Sequence, residues 1–324
     1  MSKVLGMGNA LVDLLTQIDD DNFLVELNLP KGSMQLVSDD VASKILARSN
    51  HLKREQASGG SAANTIHGLA ALGVNTGFLG KVGKDELGKF FRDDMIQSKI
   101  SPELLLGDSP TGKAVALISP DSERTFATYL GAAVELSSED LKDEYFKGYH
   151  YFHIEGYLVQ NKDLIRTALI KAKENGLIIS LDLASFNVVE ENLEFLQEVI
   201  RNYVDILFAN EEEAKSFTGK IGNDALNDMS HYCNIAVLKQ GSKGSLIKCG
   251  EDTFVVGVIP AKSVDTTGAG DLYASGFIYG LIHKMDLKTC GQIGAITSGN
   301  VIQVIGPKMD HNTWEKIKTE IKSL

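Results

Sequence analysis

Apolar positions along the chain follow two patterns. Short apolar runs at Lys3 to Met7, Phe78 to Val82, Tyr149 to Ile154, Leu177 to Leu183, Val204 to Phe208 and Ile235 to Leu238 read as buried strands. Between them, Ala62 to Leu72 (closed by Gly73 as a C-cap), Asp85 to Ile96, Lys162 to Glu174 and about Glu190 to Ile200 have helical composition or spacing. Strands alternating with such helices predict βαβ units. The expected fold class is a three-layer αβα arrangement with a mostly parallel central sheet.

Two regions break this rhythm. Ala114 to Ser119 and Arg124 to Leu130 read as a hairpin through the turn Pro120-Asp121-Ser122-Glu123. Leu11 to Ile18 and Leu52 to Ser58 look like two more strands without crossover helices. Inserted segments at about 11–18, 52–58 and 104–130 would then form a small second sheet, placed to cover a site as a lid. The alternative is a decorated edge of one sheet. With no internal repeat or low-complexity linker, residues 1–324 are expected to form one α/β domain carrying that lid.

Composition adds exclusions. The chain has 324 residues, 43% hydrophobic and 23% charged, which excludes a disordered protein. Its 32 Lys and Arg against 43 Asp and Glu give a net charge of −11, without a basic run, so no nucleic-acid partner is expected. Cys233, Cys249 and Cys290 are an odd number at wide spacing and read as reduced thiols. Met1 to Asn9 carries one lysine, and its apolar run is broken by Asn9 and Asp13, unlike a signal peptide. No apolar stretch approaches a membrane span, so a cytoplasmic protein without a membrane partner is expected.

The candidate chemistry sits where strands meet helices. Asp265-Thr266-Thr267-Gly268-Ala269-Gly270-Asp271 precedes the helix-like run Leu272 to Lys284. Small residues there let backbone N–H groups approach an anion, and the helix dipole favours negative charge. Asp271 would repel a resting phosphate, so it reads as an acceptor for the proton of an attacking hydroxyl, or as a plain helix cap. Gly59-Gly60-Ser61-Ala62-Ala63-Asn64 opens another helix, where two glycines permit close backbone approach and the Asn64 amide can both donate to and accept from a polyol. Asn210-Glu211-Glu212-Glu213 has the spacing of a capping box. Lys239-Gln240-Gly241-Ser242-Lys243-Gly244 is by itself equally a hairpin turn. Gly6-x-Gly8 fails as a dinucleotide fingerprint because Leu11 stands at the third glycine position, and no Walker motif occurs. His150 and His153, three apart on a strand, point to opposite faces and are not a metal pair.

The two glycine segments together resemble the ribokinase family of small-molecule kinases, also called the PfkB family. The first continues through Leu72-Gly73, Gly80, Val82-Gly83, Asp85 and Gly88, and the second is the Asp-Thr-x-Gly-Ala-Gly-Asp segment. The resemblance implies phosphate transfer from ATP to a primary alcohol with Mg²⁺. It implies Asp271 as general base and the backbone of Gly268, Ala269 and Gly270 as the anion hole. Asp13, after the first strand, would grip substrate hydroxyls with Gly59, Gly60 and Asn64. Gly8-Asn9-x-x-x-Asp13 looks most like the adenosine kinase branch, which brings in Asn9. Asn210 and Glu213 match an Asn-x-x-Glu motif that helps position Mg²⁺ and phosphate. Lys239, Gly241 and Gly244 match the nucleotide loop, and Asn300 stands in a segment expected to line the adenine site. Asp265 and Thr267 match positions where many relatives hold a monovalent cation such as K⁺. Glu155 matches a glutamate that touches the sugar in sugar kinases, which counts against a nucleoside, whereas Tyr157 is suited to stack on a base. The expected function is an ATP-dependent kinase for a nucleoside or sugar, adenosine first. A ribose- or fructose-type kinase is the alternative, and a non-catalytic sugar- or nucleotide-binding sensor is the alternative of another class. An apolar lid face would favour a homodimer.

Overall fold

The computed structural model describes residues 2–121 and 123–324; Ser122 of the expected turn lies outside the described residues. The first half runs β1 (Lys3–Met7), β2 (Leu11–Gln17), α1 (Asn22–Glu26), β3 (Met34–Leu36), α2 (Asp39–Arg48), β4 (Arg54–Gly59), α3 (Ser61–Ala71), β5 (Asn75–Val82), α4 (Glu86–Gln97), β6 (Ile100–Leu106), β7 (Gly112–Ile118) and β8 (Arg124–Tyr129). The second half opens with β9 (Tyr151–Glu155), α5 (Lys162–Glu174), β10 (Ile178–Asp182), α6 (Phe186–Glu191), α7 (Leu193–Tyr203), β11 (Ile206–Asn210), α8 (Glu211–Thr218) and α9 (Gly222–Met229). It closes with β12 (Ile235–Lys239), β13 (Ser245–Cys249), β14 (Asp252–Val256), α10 (Ala269–Ile282), α11 (Leu287–Val301) and α12 (His311–Ile321).

Nine strands form one sheet in the order β14-β13-β12-β11-β10-β9-β1-β5-β6, parallel except for the antiparallel β13 and β14. Its central strands, β1 and β9 to β12, are buried on both faces, as a sheet covered on two sides requires. Leu5 and Met7 of β1 join one core with α5, α7, α8 and α9, while Val4 joins the other with α3, α4 and α10. Gly6 leaves the space that Ile66 of α3 fills. The three-layer αβα expectation is therefore met. Several helix starts are fixed by side-chain caps, with Asp85 accepting from Gly88 N, Asp286 from Thr289 N and Asp310 from Thr313 N.

A second sheet of five strands runs β3-β8-β7-β2-β4. Its β7–β8 hairpin and strands β2 and β4 stand where the interrupted rhythm places them. Two details differ from the expected segments. Leu104 to Leu106 belongs to β6 at the edge of the main sheet, pairing with β5, so the inserted piece starts after it. The second sheet also gains β3, a three-residue strand too short to show a period.

Chain direction locates the site. From β1 the chain builds outward to β5 and β6 on one side, then returns to β9 and builds out the other way. At such a switch point two neighbouring crossovers diverge and leave a crevice at the carboxyl ends of the strands.

Candidate active site

The floor of this crevice is made by Asn9 and Glu155, just beyond β1 and at the end of β9. Glu155 is buried, and Asn9 donates to its Oε1 through backbone N and Nδ2, each at 2.9 Å. Ala62 N, in the first turn of α3, donates to Oε2 at 2.9 Å. One carboxylate thus ties β1, β9 and the start of α3 together, at the helix end that favours negative charge. Burial pushes its pKa up to about 7, against the pull of these donors. Gly8 has no Cβ because the Glu155 carboxylate fills that space.

Gly59 and Gly60 are needed for different reasons. The carboxylate of Asp13 lies against Gly59, leaving no room for a side chain. Gly60 has φ +101 and presses on Asn9 O, a conformation and an approach open only to glycine. Ser61 and Asn64 then face Asp271: Ser61 Oγ donates to Oδ1 at 2.7 Å and Asn64 Nδ2 to Oδ2 at 2.9 Å. Asn64 therefore addresses the candidate base, while its buried Oδ1 lacks a protein partner. Burial raises the Asp271 pKa to about 6, the bonds from Asn64 and Ser61 holding it back. Burial likewise lifts Asp13 to about 7 although the charges of Lys308 and Arg124 act to lower it.

Gly268 caps α10 with φ +76, so Ala269 and Gly270 open the helix with Asp271 in its first turn. A Cβ on Gly268 would meet Pro307 Cβ at 2.7 Å, and one on Gly270 would lie 3.0 Å from Lys239 Nζ. Lys239, at the end of β12, pairs with Asp182 at the end of β10 at 2.5 Å. Burial alone would lower the Lys239 pKa, but Asp182 and Glu213 outweigh it and raise it. Asn210 and Glu213 form the capping box: Glu213 N donates to Asn210 Oδ1 at 2.9 Å, and Asn210 N to Glu213 Oε2 at 2.8 Å. Burial and the Asp182 charge raise Glu213 to about 7.

Asp182, Glu213 and Asp271 thus surround one lysine, leaving a surplus of buried negative charge that a divalent cation on a nucleotide would offset. Among the described residues no three His, Cys, Asp or Glu converge closely enough to hold an ion by themselves. The arrangement fits Mg²⁺ held jointly with phosphate oxygens. The monovalent-cation role expected for Asp265 and Thr267 does not fit. Asp265 is occupied by Arg124 (2.6 Å), Gly306 N (2.7 Å) and Thr267 N (3.0 Å), and Thr267 Oγ1 accepts from Arg124 at 3.2 Å.

Gly241 and Gly244 bound a short 3-10 turn after β12, Gly244 with φ +95 against Val256 O. Asn300 Nδ2 donates back to Ile296 O in its own helix. Tyr157 is half-buried and lines the cavity beside Glu155. Sequence reasoning missed Ser61, Asp182 and Arg124 as members of the site. It also missed Lys308, which donates to Ser58 Oγ (3.0 Å) and pairs with Asp94 (3.3 Å). Only Ser61, inside a quoted motif, carried a signal.

Between the sheets lies a cavity of about 920 Å³. Asn9, Gly60, Ser61 and Glu155 line one polar part of it, Leu11, Met34, Leu36, Leu130, Val134 and Leu136 an apolar part, and Gln160, Asn161, Lys162, Asp163, Asn187 and Glu191 a second polar part.

The sequence profile described as the pfkB family carbohydrate kinase matches residues 40–313. The chain belongs to the PfkB family. A solved adenosine kinase from Sinorhizobium meliloti is 34% identical, with a TM-score of 0.88, covering 98% of this chain and 99% of that one. A probable sugar kinase from Rhizobium etli CFN 42 is 33% identical, with a TM-score of 0.89 and 98% coverage of both chains. A 5-dehydro-2-deoxygluconokinase from Geobacillus kaustophilus is 29% identical over 263 residues, 75% of this chain and 78% of that protein. This PfkB-family protein is accordingly a kinase, a phosphotransferase with an alcohol group as acceptor. No helix among the described residues is long and apolar enough to cross a membrane.

Proposed function

We propose that this PfkB-family kinase transfers the γ-phosphate of ATP to the primary hydroxyl of a nucleoside, adenosine first. The observation that carries this reading is the cavity. Its volume stands near the top of the range of roughly 300–1,000 Å³ for small-molecule pockets. Ser61 in its lining donates to Asp271, and the same cavity carries an apolar surface from Leu11, Met34, Leu36, Leu130, Val134 and Leu136. A ribose suits the polar part near Ser61 and a base the apolar part, whereas a free hexose has no apolar ring to place there. Glu155 no longer counts against a nucleoside, since both its oxygens serve Asn9 and Ala62.

In this reading Asp13 and the Gly59–Gly60 backbone hold the ribose. Asp271, aimed by Ser61 and Asn64, takes the proton from the attacking hydroxyl. The amides at the start of α10, with Lys239 beside Gly270, face the charge that develops on the transferring group. The buried Nε of Arg124 has no protein acceptor and would gain one in a phosphate oxygen. Mg²⁺, when bound with ATP near Asn210 and Glu213, supplies charge neutralisation of the phosphates. The second sheet acts as a lid that excludes water from the transfer.

A free-sugar kinase is the second reading, favoured by the 5-dehydro-2-deoxygluconokinase similarity. ADP release from Mg·ATP, with adenosine, other nucleosides, ribose, fructose and 5-dehydro-2-deoxygluconate offered singly, separates the two. Turnover confined to adenosine or related nucleosides is expected. Preferred turnover of a free sugar overturns the substrate and leaves the phosphotransfer in place.

A further inference from the structure

Arg124 stands on β8 of the second sheet, yet its guanidinium lies in the loop that leads into the α10 anion hole. Its side chain is 7% exposed and that of Asp265 only 4%. Nη2 lies 2.6 Å from Asp265 Oδ2, and Nη1 donates to Thr267 Oγ1 at 3.2 Å. The remaining capacity of Asp265 is taken by backbone: Thr267 N donates to Oδ1 and Gly306 N to Oδ2. Every side-chain oxygen of the pair thus already faces a donor.

A monovalent metal ion bound through the Asp265 and Thr267 side chains would need those same oxygens. To reach them it would displace the guanidinium or lie beside it, and two cations in a site shielded from water repel strongly. A guanidinium stays charged throughout the working pH range and is weakly hydrated, so it suits a dry site better than an ammonium. The geometry fixes its role further. The two amides that Asp265 accepts belong to Thr267, next to Gly268, and to Gly306, next to the Pro307 that packs on Gly268. With its charge offset, Asp265 can hold both amides and so set the start of α10.

We infer that Arg124 is the resident counter-ion of the anion-hole loop, standing in place of a monovalent metal ion, so that this kinase is indifferent to K⁺. Arg124 is in this respect a positioning residue that acts through Asp265. The inference rests on the kinase reading only for its rate measurement, and a stability measurement tests it separately.

The experiment compares KCl, NaCl and choline chloride at equal ionic strength. Wild-type turnover with saturating Mg·ATP and acceptor, and the wild-type melting temperature, are expected to agree across the three salts within about twofold and within error respectively. Saturable activation of wild type by K⁺ alone, about tenfold or more, overturns the inference. Arg124→Met leaves Asp265 buried and unpaired, so its melting temperature is expected to rise in KCl relative to choline chloride, where wild type does not respond. Arg124→Lys, which keeps a cation there, is expected to remain indifferent and guards against a Met variant that fails to fold. An Arg124→Met protein that folds but shows no K⁺-specific rise overturns the inference. If no acceptor is turned over, the kinase reading is what has failed, and the melting comparison still decides the counter-ion.

Discussion

In the proposed mechanism Asp271 is the general base, and burial sets the pH at which it can act. A general base must be ionised to act, and its pKa of about 6 sets where that happens. Below pH 6 the ionised fraction falls tenfold for each further pH unit, and above about 7 it is nearly complete. Therefore kcat/KM is expected to rise with pH through about 6 and then level off. Asp271→Asn is expected to lower turnover about 10³-fold and to remove that limb, with ATP affinity little changed. A pH–rate profile of both proteins checks this, and a variant with near-normal turnover removes Asp271 from the chemistry. The same raised pKa costs stability. The folded state holds the proton more tightly than the unfolded chain, so stability falls as pH rises from about 4 to about 6 and stays lower above that, by up to about 3 kcal/mol for a rise from 3.8 to about 6. Asp271→Asn is accordingly expected to melt higher than wild type at pH 8, with the gap closing below pH 4. Asp271 and the glycines around it were legible in the sequence because each stands in a motif. Asp182 and Lys308 were not, since their partners lie 57 and 214 residues away and only the folded chain brings them together.

At the scale of elements, the site is built from helix starts held at fixed angles by glycines. Gly268 combines a left-handed backbone with a contact to Pro307 that leaves no room for a methyl group. Gly268→Ala is expected to cost about 1–3 kcal/mol of stability from backbone strain. It also shifts the Ala269 and Gly270 amides, so kcat is expected to fall about 10²-fold while acceptor KM, set at the Gly59–Gly60 end, stays nearly constant. Thermal unfolding and steady-state kinetics read the two effects separately, and an unchanged kcat would show that these amides do not face the transferring group. Elements with strong contrast between apolar and polar positions, such as α4 and α5, were readable from spacing alone. Helix α11 was not: Gly294 lies against Tyr273 and Thr297 donates to Leu272 O of α10, Gly291 lies against Ile247 and Val256 of the sheet, and these small or polar positions give little amphipathic contrast. Strand β6 was missed because Pro102 interrupts it, which an edge strand tolerates.

For the whole molecule, the second sheet is the part whose purpose depends on the substrate. Met34 and Leu36 of its edge strand line the cavity and are 52% and 58% exposed, a costly arrangement for two large apolar side chains unless something covers them. In the nucleoside reading the base covers them, whereas a free sugar has no apolar ring to do so. The double variant Met34→Ser, Leu36→Ser removes that apolar surface from an edge strand whose side chains contribute little to the core. Losing burial of two such side chains is worth about 2 kcal/mol, or roughly thirtyfold in affinity. For a nucleoside kinase, acceptor KM is expected to rise by about that factor with kcat nearly unchanged, since Asp271 and the start of α10 are untouched. For a free-sugar kinase the same variant leaves acceptor KM where it was. Steady-state kinetics of the double variant therefore tests the substrate reading from the lid side, independently of any screen of candidate acceptors. A rise in ATP KM alone would place the apolar wall with the nucleotide and overturn the assignment of this cavity to the acceptor.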